Sequence, residues 1–333
     1  MYKALSFSIL MISTLISISS SSWMGAWMGL EINLISFIPL ISNSKNVFSS
    51  ESSMKYFIVQ ALASSALLFS ILSLMNINES STIKPLILMI LNSAILMKMG
   101  AAPFHFWFPE IMNKINWSQS MILLTWQKLA PMSLISYSIK MSNFMITIIL
   151  LSALIGSIIG LNQTSLLKIM AYSSINHMSW MLSSMIIKEM IWMIYFITYS
   201  ILSISLIMIM KNLNVFFLNQ LFISLNNNPL TKFSFIINFL SLGGLPPFLG
   251  FFPKWMIIQN LIMENLYILS LLLIMFTLIS LFFYLRVTFS SMSIMYQNIK
   301  WKTSNKMSKF SLYLANSSSL MGLTLCTMIY SMI

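Results

Sequence analysis

Met97-Lys98-Met99-Gly100-Ala101-Ala102-Pro103-Phe104-His105-Phe106-Trp107-Phe108-Pro109-Glu110 is the stretch where an apolar segment stops, breaks and keeps a lysine. A second copy lies downstream. Laying Gly100 to Glu110 on Gly244 to Lys254 matches Gly100 with Gly244, Pro103 with Pro247, Phe104 with Phe248, Phe108 with Phe252 and Pro109 with Pro253, without a gap. Glycine and proline number only nine each in 333 residues, so the shared Gly and Pro positions argue for common design rather than chance. Paired Gly/Pro interruptions in two apolar segments mark transport proteins built from two related halves, with the working site at the interruptions. The expected breaks are Gly100 and Pro103 in one half, and Gly243, Gly244, Pro246 and Pro247 in the other. Each leaves backbone groups unpaired in the hydrocarbon, tolerable only where protein or water covers them.

Composition sets the class. With 58% hydrophobic and 7% charged residues and a mean hydropathy of +0.87, the chain cannot present an ordinary soluble surface. It reads as an all-α polytopic membrane protein. No cleavable leader is expected at its start, so the apolar segments belong to the mature product. The one cysteine, Cys326, excludes a disulfide framework or a thiolate metal cluster within the chain. Thirty-one methionines, no aspartate and a single arginine suggest an AT-biased organelle genome whose code expands methionine.

A hydrocarbon core roughly 30 Å thick needs about 20 apolar residues per crossing. About eleven such segments are expected: 4–22, 23–42, 54–75, one from 83 to the first break, 118–138 with Pro131 inside, 143–161, 166–187, 190–210, a broken one ending near 263, 265–287 and 312–333. An aromatic amphipathic connection, Phe104 to Trp117, follows the first break, and a polar loop with Asn226-Asn227-Asn228 precedes the broken ninth segment. Loops on the inner side of a membrane retain lysine and arginine. Under this count one face collects Lys3, Lys45, Lys55, Lys114, Lys168, Lys211, Lys232, Arg286, Lys300, Lys302, Lys306 and Lys309, and the other only Lys84, Lys140 and Lys188. The N-terminus is therefore expected inside. The net charge of +12 is spread over loops and reads as a topology signal, which argues against a nucleic-acid partner.

Four ionisable residues fit neither face. Glu31 and Lys128 lie on the order of 12–15 Å along their segments, near mid-membrane at 1.5 Å per residue, and Lys98 and Lys254 flank the two breaks. A charge at that depth costs at least ~2.5 kcal/mol, so it needs a partner, a hydrated cavity or a task. Snorkelling toward an interface, or a purely structural Glu31–Lys98 pair, would be the bland accounts. The functional one is a proton relay: burial disfavours a charged amine, a nearby carboxylate favours it, and moving the carboxylate switches it. His177 has the chemistry to pass protons between the halves, though a lone histidine is more often a packing residue. His105 sits in the first break, and Lys168 reads as a surface or entry charge. Glu51, Glu79, Glu110, Glu189 and Glu264 fall near segment ends, so a carboxylate cation cage is not expected. Nor is there a phosphate loop, a zinc spacing or a catalytic triad.

Four phrases carry a family resemblance over essentially the whole length: Lys-Met-Gly-Ala-Ala-Pro-Phe-His-Phe-Trp-Phe-Pro-Glu at 98–110, Thr-Trp-Gln-Lys-Leu-Ala-Pro at 125–131, Asn-Gln-Thr-Ser-Leu-Leu-Lys-Ile-Met-Ala-Tyr-Ser-Ser-Ile-Asn-His at 162–177, and Gly-Gly-Leu-Pro-Pro-Phe-Leu-Gly-Phe-Phe-Pro-Lys-Trp at 243–255. The chain resembles the chain 2 family of mitochondrial NADH:ubiquinone oxidoreductase, respiratory complex I, in an animal, insect-like form. That resemblance implies an antiporter-like subunit with two inverted five-helix repeats, a broken helix in each, and a C-terminal helix. The repeats would fall at about 1–140 and 141–290, and the basic loop and last helix at 291–333. It implies that Glu31, Lys98, Lys128 and Lys254 are the family's functional glutamate and lysines. It also implies a multi-pass place in the mitochondrial inner membrane, N-terminus toward the matrix and C-terminus toward the intermembrane space. Neighbouring membrane-arm subunits, other antiporter-like ones among them, and lipids such as cardiolipin would be partners. FMN, iron–sulfur clusters and ubiquinone would sit elsewhere in the complex, with no cofactor in this chain. A free-standing cation/proton antiporter, or a purely architectural subunit, would share many of these features.

Overall fold

The computed structural model describes residues 2–43, 46–76, 83–139, 142–225 and 229–293. The expected last crossing at 312–333, the basic loop before it and the Asn226–Asn228 loop lie outside the described residues. Among those described the secondary structure is helical, apart from one isolated antiparallel bridge between Ser165 and Phe217. The chain separates into two compact units, Met1–Ile148 and Ile149–Ile333.

The first unit holds α1 (Tyr2–Ser19), α2 (Trp23–Ile41), α3 (Val47–Asn76), α4 (Lys84–Met99), α5 (Trp107–Met112), α6 (Trp117–Leu124) and α7 (Trp126–Ser138). Serine is frequent, and a hydroxyl in lipid would be costly unless bonded. The helices absorb it locally: Ser13, Ser17, Ser64 and Ser70 each donate to the carbonyl three residues back. α1 and α2 pack along small residues, Gly25 and Gly29 of α2 facing serines that include Ser17 and Ser20, the close-approach pattern that replaces hydrophobic driving force in lipid. A Cβ on Gly29 would stand 2.8 Å from the backbone nitrogen of Ser17. Gly29→Leu is therefore expected to part the two helices and lower the amount of chain recovered from membranes, read by native gel against Gly25→Ala, whose added Cβ meets only serine side chains.

The segment expected as one helix over 118–138 is interrupted. α6 ends at Leu124 and α7 begins at Trp126, with Thr125 at φ −112°, ψ −70° between them. Pro131 lies inside α7; its ring crowds the carbonyl four residues back, at Gln127, and lacks the amide that would bond there. The Thr125 hydroxyl donates to the Met121 carbonyl at 2.7 Å, a back-bond that bends helices. Asn92 of α4 accepts from Ser138 of α7 at 2.6 Å and ties these helices together.

The second unit comprises most of α8 (Asn143–Leu161), then α9 (Leu166–Ile187), α10 (Glu189–Leu213), α11 (Leu218–Leu225), α12 (Pro229–Gly243), α13 (Phe251–Met263) and α14 (Tyr267–Ser293). α9 is buried almost all round and contacts α10, α13 and α14. Ser173, Ser174, Ser179, Ser183 and Ser184 return their hydroxyls to its own backbone, so a polar helix can occupy an apolar setting. Among the described residues six helices are long and apolar enough to cross a membrane: α1, α2, α3, α8, α10 and most of α14. The helices that carry the interruptions, and α9, are not among them.

Candidate functional site: buried lysines at two interrupted helices

The two interruptions have the same length and the same opening turn. α4 stops at Met99 and α5 starts at Trp107; α12 stops at Gly243 and α13 starts at Phe251. At each stop a glycine takes the left-handed conformation, Gly100 at φ 74° and Gly244 at φ 78°. Its N–H bonds three residues back, Gly100 to Met97 and Gly244 to Ser241, and the next N–H reaches five back, Ala101 to Leu96 and Leu245 to Leu240. This is the Schellman closure, which glycine adopts without the Cβ penalty. Gly243, expected within the break, is the last helical residue instead. Pro246 and Pro247 are exposed in the second connection, and the Pro103 carbonyl faces Nδ1 of the buried His105 at 3.3 Å.

A helix end leaves carbonyls without intrahelical partners. At the first interruption neutral side chains take two of them: the Trp107 indole donates to Met97 O at 3.2 Å, and Gln60 of α3 donates to Lys98 O at 3.3 Å. At the second, a lysine does so. Lys254 Nζ donates to Gly243 O at 2.9 Å and Leu242 O at 3.3 Å, with its chain lying against Gly244. A cation there meets the negative end of the α12 dipole.

Among the described residues the buried lysines are Lys98, Lys128 and Lys254, and no carboxylate is buried. Lys128 is 2% exposed, with Nζ 5.5 Å from the centre of the Phe108 ring on α5. Lys98 opens onto a cavity of about 10 Å³ also lined by Asn33, Gln60 and Gln127, about the minimum for one water. Glu31 is half-buried on α2 and, among the described residues, makes no direct ion pair with Lys98. Glu51, Lys55, Glu110 and Lys114 form a separate, solvent-facing network that fastens α5 to the start of α3: Lys55 bonds Glu110 at 2.9 Å and Lys114 bonds Glu51. Lys168 is half-buried at the start of α9.

In the second unit His177 is buried on α9, its Nδ1 2.8 Å from the Tyr195 hydroxyl of α10 and its ring 5.1 Å from that of Tyr199. Tyr195 and Tyr199 are themselves buried. Ser205 of α10 donates to Asn238 of α12 at 2.9 Å. The described residues contain no group of three or more histidines, cysteines or carboxylates placed to hold a metal.

The family described as NADH:quinone oxidoreductase/Mrp antiporter, TM, matches residues 20–280. NADH-ubiquinone oxidoreductase chain 2 of Anopheles gambiae is 51% identical over 97% of this chain and 96% of its own. The chain belongs to this family. The chain 2 proteins of Locusta migratoria and Xenopus laevis are 46% and 42% identical, over 98% and 82% of this chain and 96% and 81% of theirs. The fold extends further. A chain of respiratory complex I from Thermus thermophilus superposes with a TM-score of 0.86 at 19% identity, over 98% of this chain and 77% of that one. A chain of the Mrp complex from Dietzia reaches 0.73 at 14% identity, over 84% and 58%. Within this family member, sequence reasoning singled out the charged groups but missed the amides Asn33, Gln60 and Gln127 and the tyrosines 195 and 199. The signal was present in the amides: each is a lone carboxamide inside an apolar run, and Gln127 directly precedes Lys128.

Proposed function

We propose that this chain is a core membrane-arm subunit of respiratory NADH:ubiquinone oxidoreductase. In that role it takes part in moving protons across the mitochondrial inner membrane while other subunits pass electrons from NADH to ubiquinone. The observation that carries the reading is the selective burial of Lys98, Lys128 and Lys254, each beside or behind an interrupted helix, while the other described lysines and the five described glutamates remain at least partly exposed. Sequence identity of 51% with a named chain 2 over nearly its full length supplies the biological setting. The chain itself contributes no redox centre; its partners are the neighbouring membrane-arm subunits and the surrounding lipid, cardiolipin included.

In this mechanism protons enter from the matrix side and are carried by Lys98, Lys128, His177 and Lys254, leaving toward the intermembrane space. Glu31 acts as the control. Nearer to Lys98 it favours the ammonium; withdrawn or neutralised, it leaves a buried amine that gives up its proton. Lys254 has carbonyl acceptors for its N–H groups and a helix dipole to hold the cation, so its release requires the end of α12 to shift. The two interruptions belong, in this reading, to inverted five-helix repeats at about 1–140 and 141–290, followed by a basic loop and last crossing at 291–333, with the N-terminus on the matrix side and the C-terminus in the intermembrane space.

Lys98→Met, and separately Lys128→Met, should leave the complex assembled on a native gel and lower the protons translocated per NADH oxidised, measured in proteoliposomes from the acidification signal against the rate of NADH loss. An assembled variant that pumps at the unsubstituted ratio would reduce the chain to an architectural element. A chain purified alone that exchanges cations for protons without any NADH-oxidising partner would instead indicate an independent antiporter.

A further inference from the structure

The cavity beside Lys98 has polar walls that the relay described above does not use. Gln127 Nε2 donates to Asn33 Oδ1 at 2.9 Å, joining the first turn of α7 to α2. Among the described residues the remaining atoms of this pair, Gln127 Oε1 and Asn33 Nδ2, have no protein partner, and both side chains line the cavity with Lys98. Gln60, whose amide nitrogen holds the Lys98 carbonyl, closes a third side. Lys98, Asn33, Gln60 and Gln127 thus border a space of about 10 Å³, about the smallest that holds an ordered water.

Gln127 is also the residue before Lys128. Adjacent helical residues point about 100° apart, so α7 presents the carboxamide to the Lys98 cavity and the amine to Phe108 of α5. The interruption at Thr125, with Pro131 four residues beyond Gln127, removes the regular hydrogen bonding that would fix this turn rigidly.

We propose that the Gln127–Asn33 carboxamide pair is a positioning device for proton transfer at Lys98: it orients one water against the Lys98 amine, at the turn of α7 that also carries Lys128. This rests on the proton-carrying reading given above. The ammonium of Lys98 passes its proton to that water and becomes a neutral amine, the water hands a proton onward, and no bond within either amide changes. Gln127 is thus a positioning residue and not a proton carrier. An apolar side chain of the same length would leave the water without its acceptor and the Asn33 amide without its partner.

The test is Gln127→Met in the intact complex, with Lys98→Met and the double variant beside it. Three quantities are read: assembled complex, protons per NADH, and the ratio of pumping rates in H2O and D2O. Expected are normal assembly, protons per NADH reduced to the Lys98→Met level, a double variant no lower than Lys98→Met alone because both act on one step, and for Gln127→Met a larger solvent isotope effect than the unsubstituted complex. A packing role would leave the isotope effect unchanged. Unaltered pumping in Gln127→Met while Lys98→Met pumps less would overturn this inference and leave the relay standing; unaltered pumping in both would remove the relay itself. Additive losses in the double variant would also refute it. Should Gln127→Met fail to assemble, Asn33→Leu, which removes the other half of the pair, is read by the same quantities.

Discussion

Gly250→Ala is expected to prevent the chain from accumulating in the assembled complex. Gly250 closes the second interruption, immediately before α13, and folds against the last turn of α12: a Cβ built on it would lie 1.8 Å from the Ser241 carbonyl oxygen and 2.8 Å from its carbonyl carbon. Both are backbone atoms, in a helix end already fixed by the Gly244 and Leu245 closure, so no rotamer change relieves the overlap. Inserting a methylene into a packed core typically costs about 1–3 kcal/mol when side chains can adjust, and here the whole connection must lift. Its φ of −69° is ordinary, so the defect is steric and not conformational. Native-gel quantification of the complex at normal growth temperature checks this. Wild-type amounts would show that the connection does not lie on α12. The gap-free match between the two interruptions pairs Gly250 with Phe106, which is 72% exposed; the corresponding position in the first unit takes a large side chain because it faces outward.

That pair of positions shows how far the sequence could be read. The repeated Gly, Pro and Phe spacing was legible as two interruptions, because a left-handed closing residue and prolines at the third position of the following helix have strict chemical requirements. Which side of the connection packs on its own helix was not legible, because Phe106 and Gly250 are unrelated side chains at matched places. The same limit appears in the lysines. The match pairs Lys254 with Glu110, and Lys98 with Leu242, so the buried amine precedes the interruption in one unit and follows it in the other. Their places flanking the two breaks identified both, since a charge beside an interrupted apolar run has few innocent explanations. It could not tell that Lys254 binds helix-end carbonyls while Lys98 faces carboxamides, for that depends on which helix lies opposite.

Hydropathy also concealed part of the molecule from length and composition alone. The helices apolar enough to cross a membrane include α2, which carries Glu31, but α4, α7, α9 and α13, which carry Lys98, Lys128, His177 and Lys254, are too short or too polar. Polar side chains shielded by neighbouring protein are what a hydrated or proton-carrying interior needs, and they are what lowers the apolar average. The break at Thr125 was missed for another reason. No glycine marks it, and its causes, a hydroxyl back-bond and a proline six residues on, are separately compatible with a continuous helix.

Gly244→Ala is expected to impair proton translocation sharply, while Gly243→Ala next to it leaves the complex working. Gly243 is helical, and a Cβ there would meet Tyr284 and Leu281 side chains at 3.6–3.9 Å, ordinary contact distances; alanine also favours the helix by up to ~1 kcal/mol over glycine. Gly244 stands at φ 78°, where a Cβ costs roughly 1–2 kcal/mol, and its Cβ would come within 2.9 Å of both Cδ and Nζ of Lys254. The lysine is flexible enough to move, so the chain should still fold, but it can move only by leaving the Leu242 and Gly243 carbonyls that hold its amine. Asparagine tolerates the left-handed conformation better than alanine but brings the same Cβ. If Gly244→Asn assembles better than Gly244→Ala yet pumps as poorly per NADH, the loss belongs to the displaced amine and not to backbone strain. Recovery of pumping in Gly244→Asn would assign the defect to strain alone, and would mean that the position of Lys254 against the end of α12 does not matter to the proton.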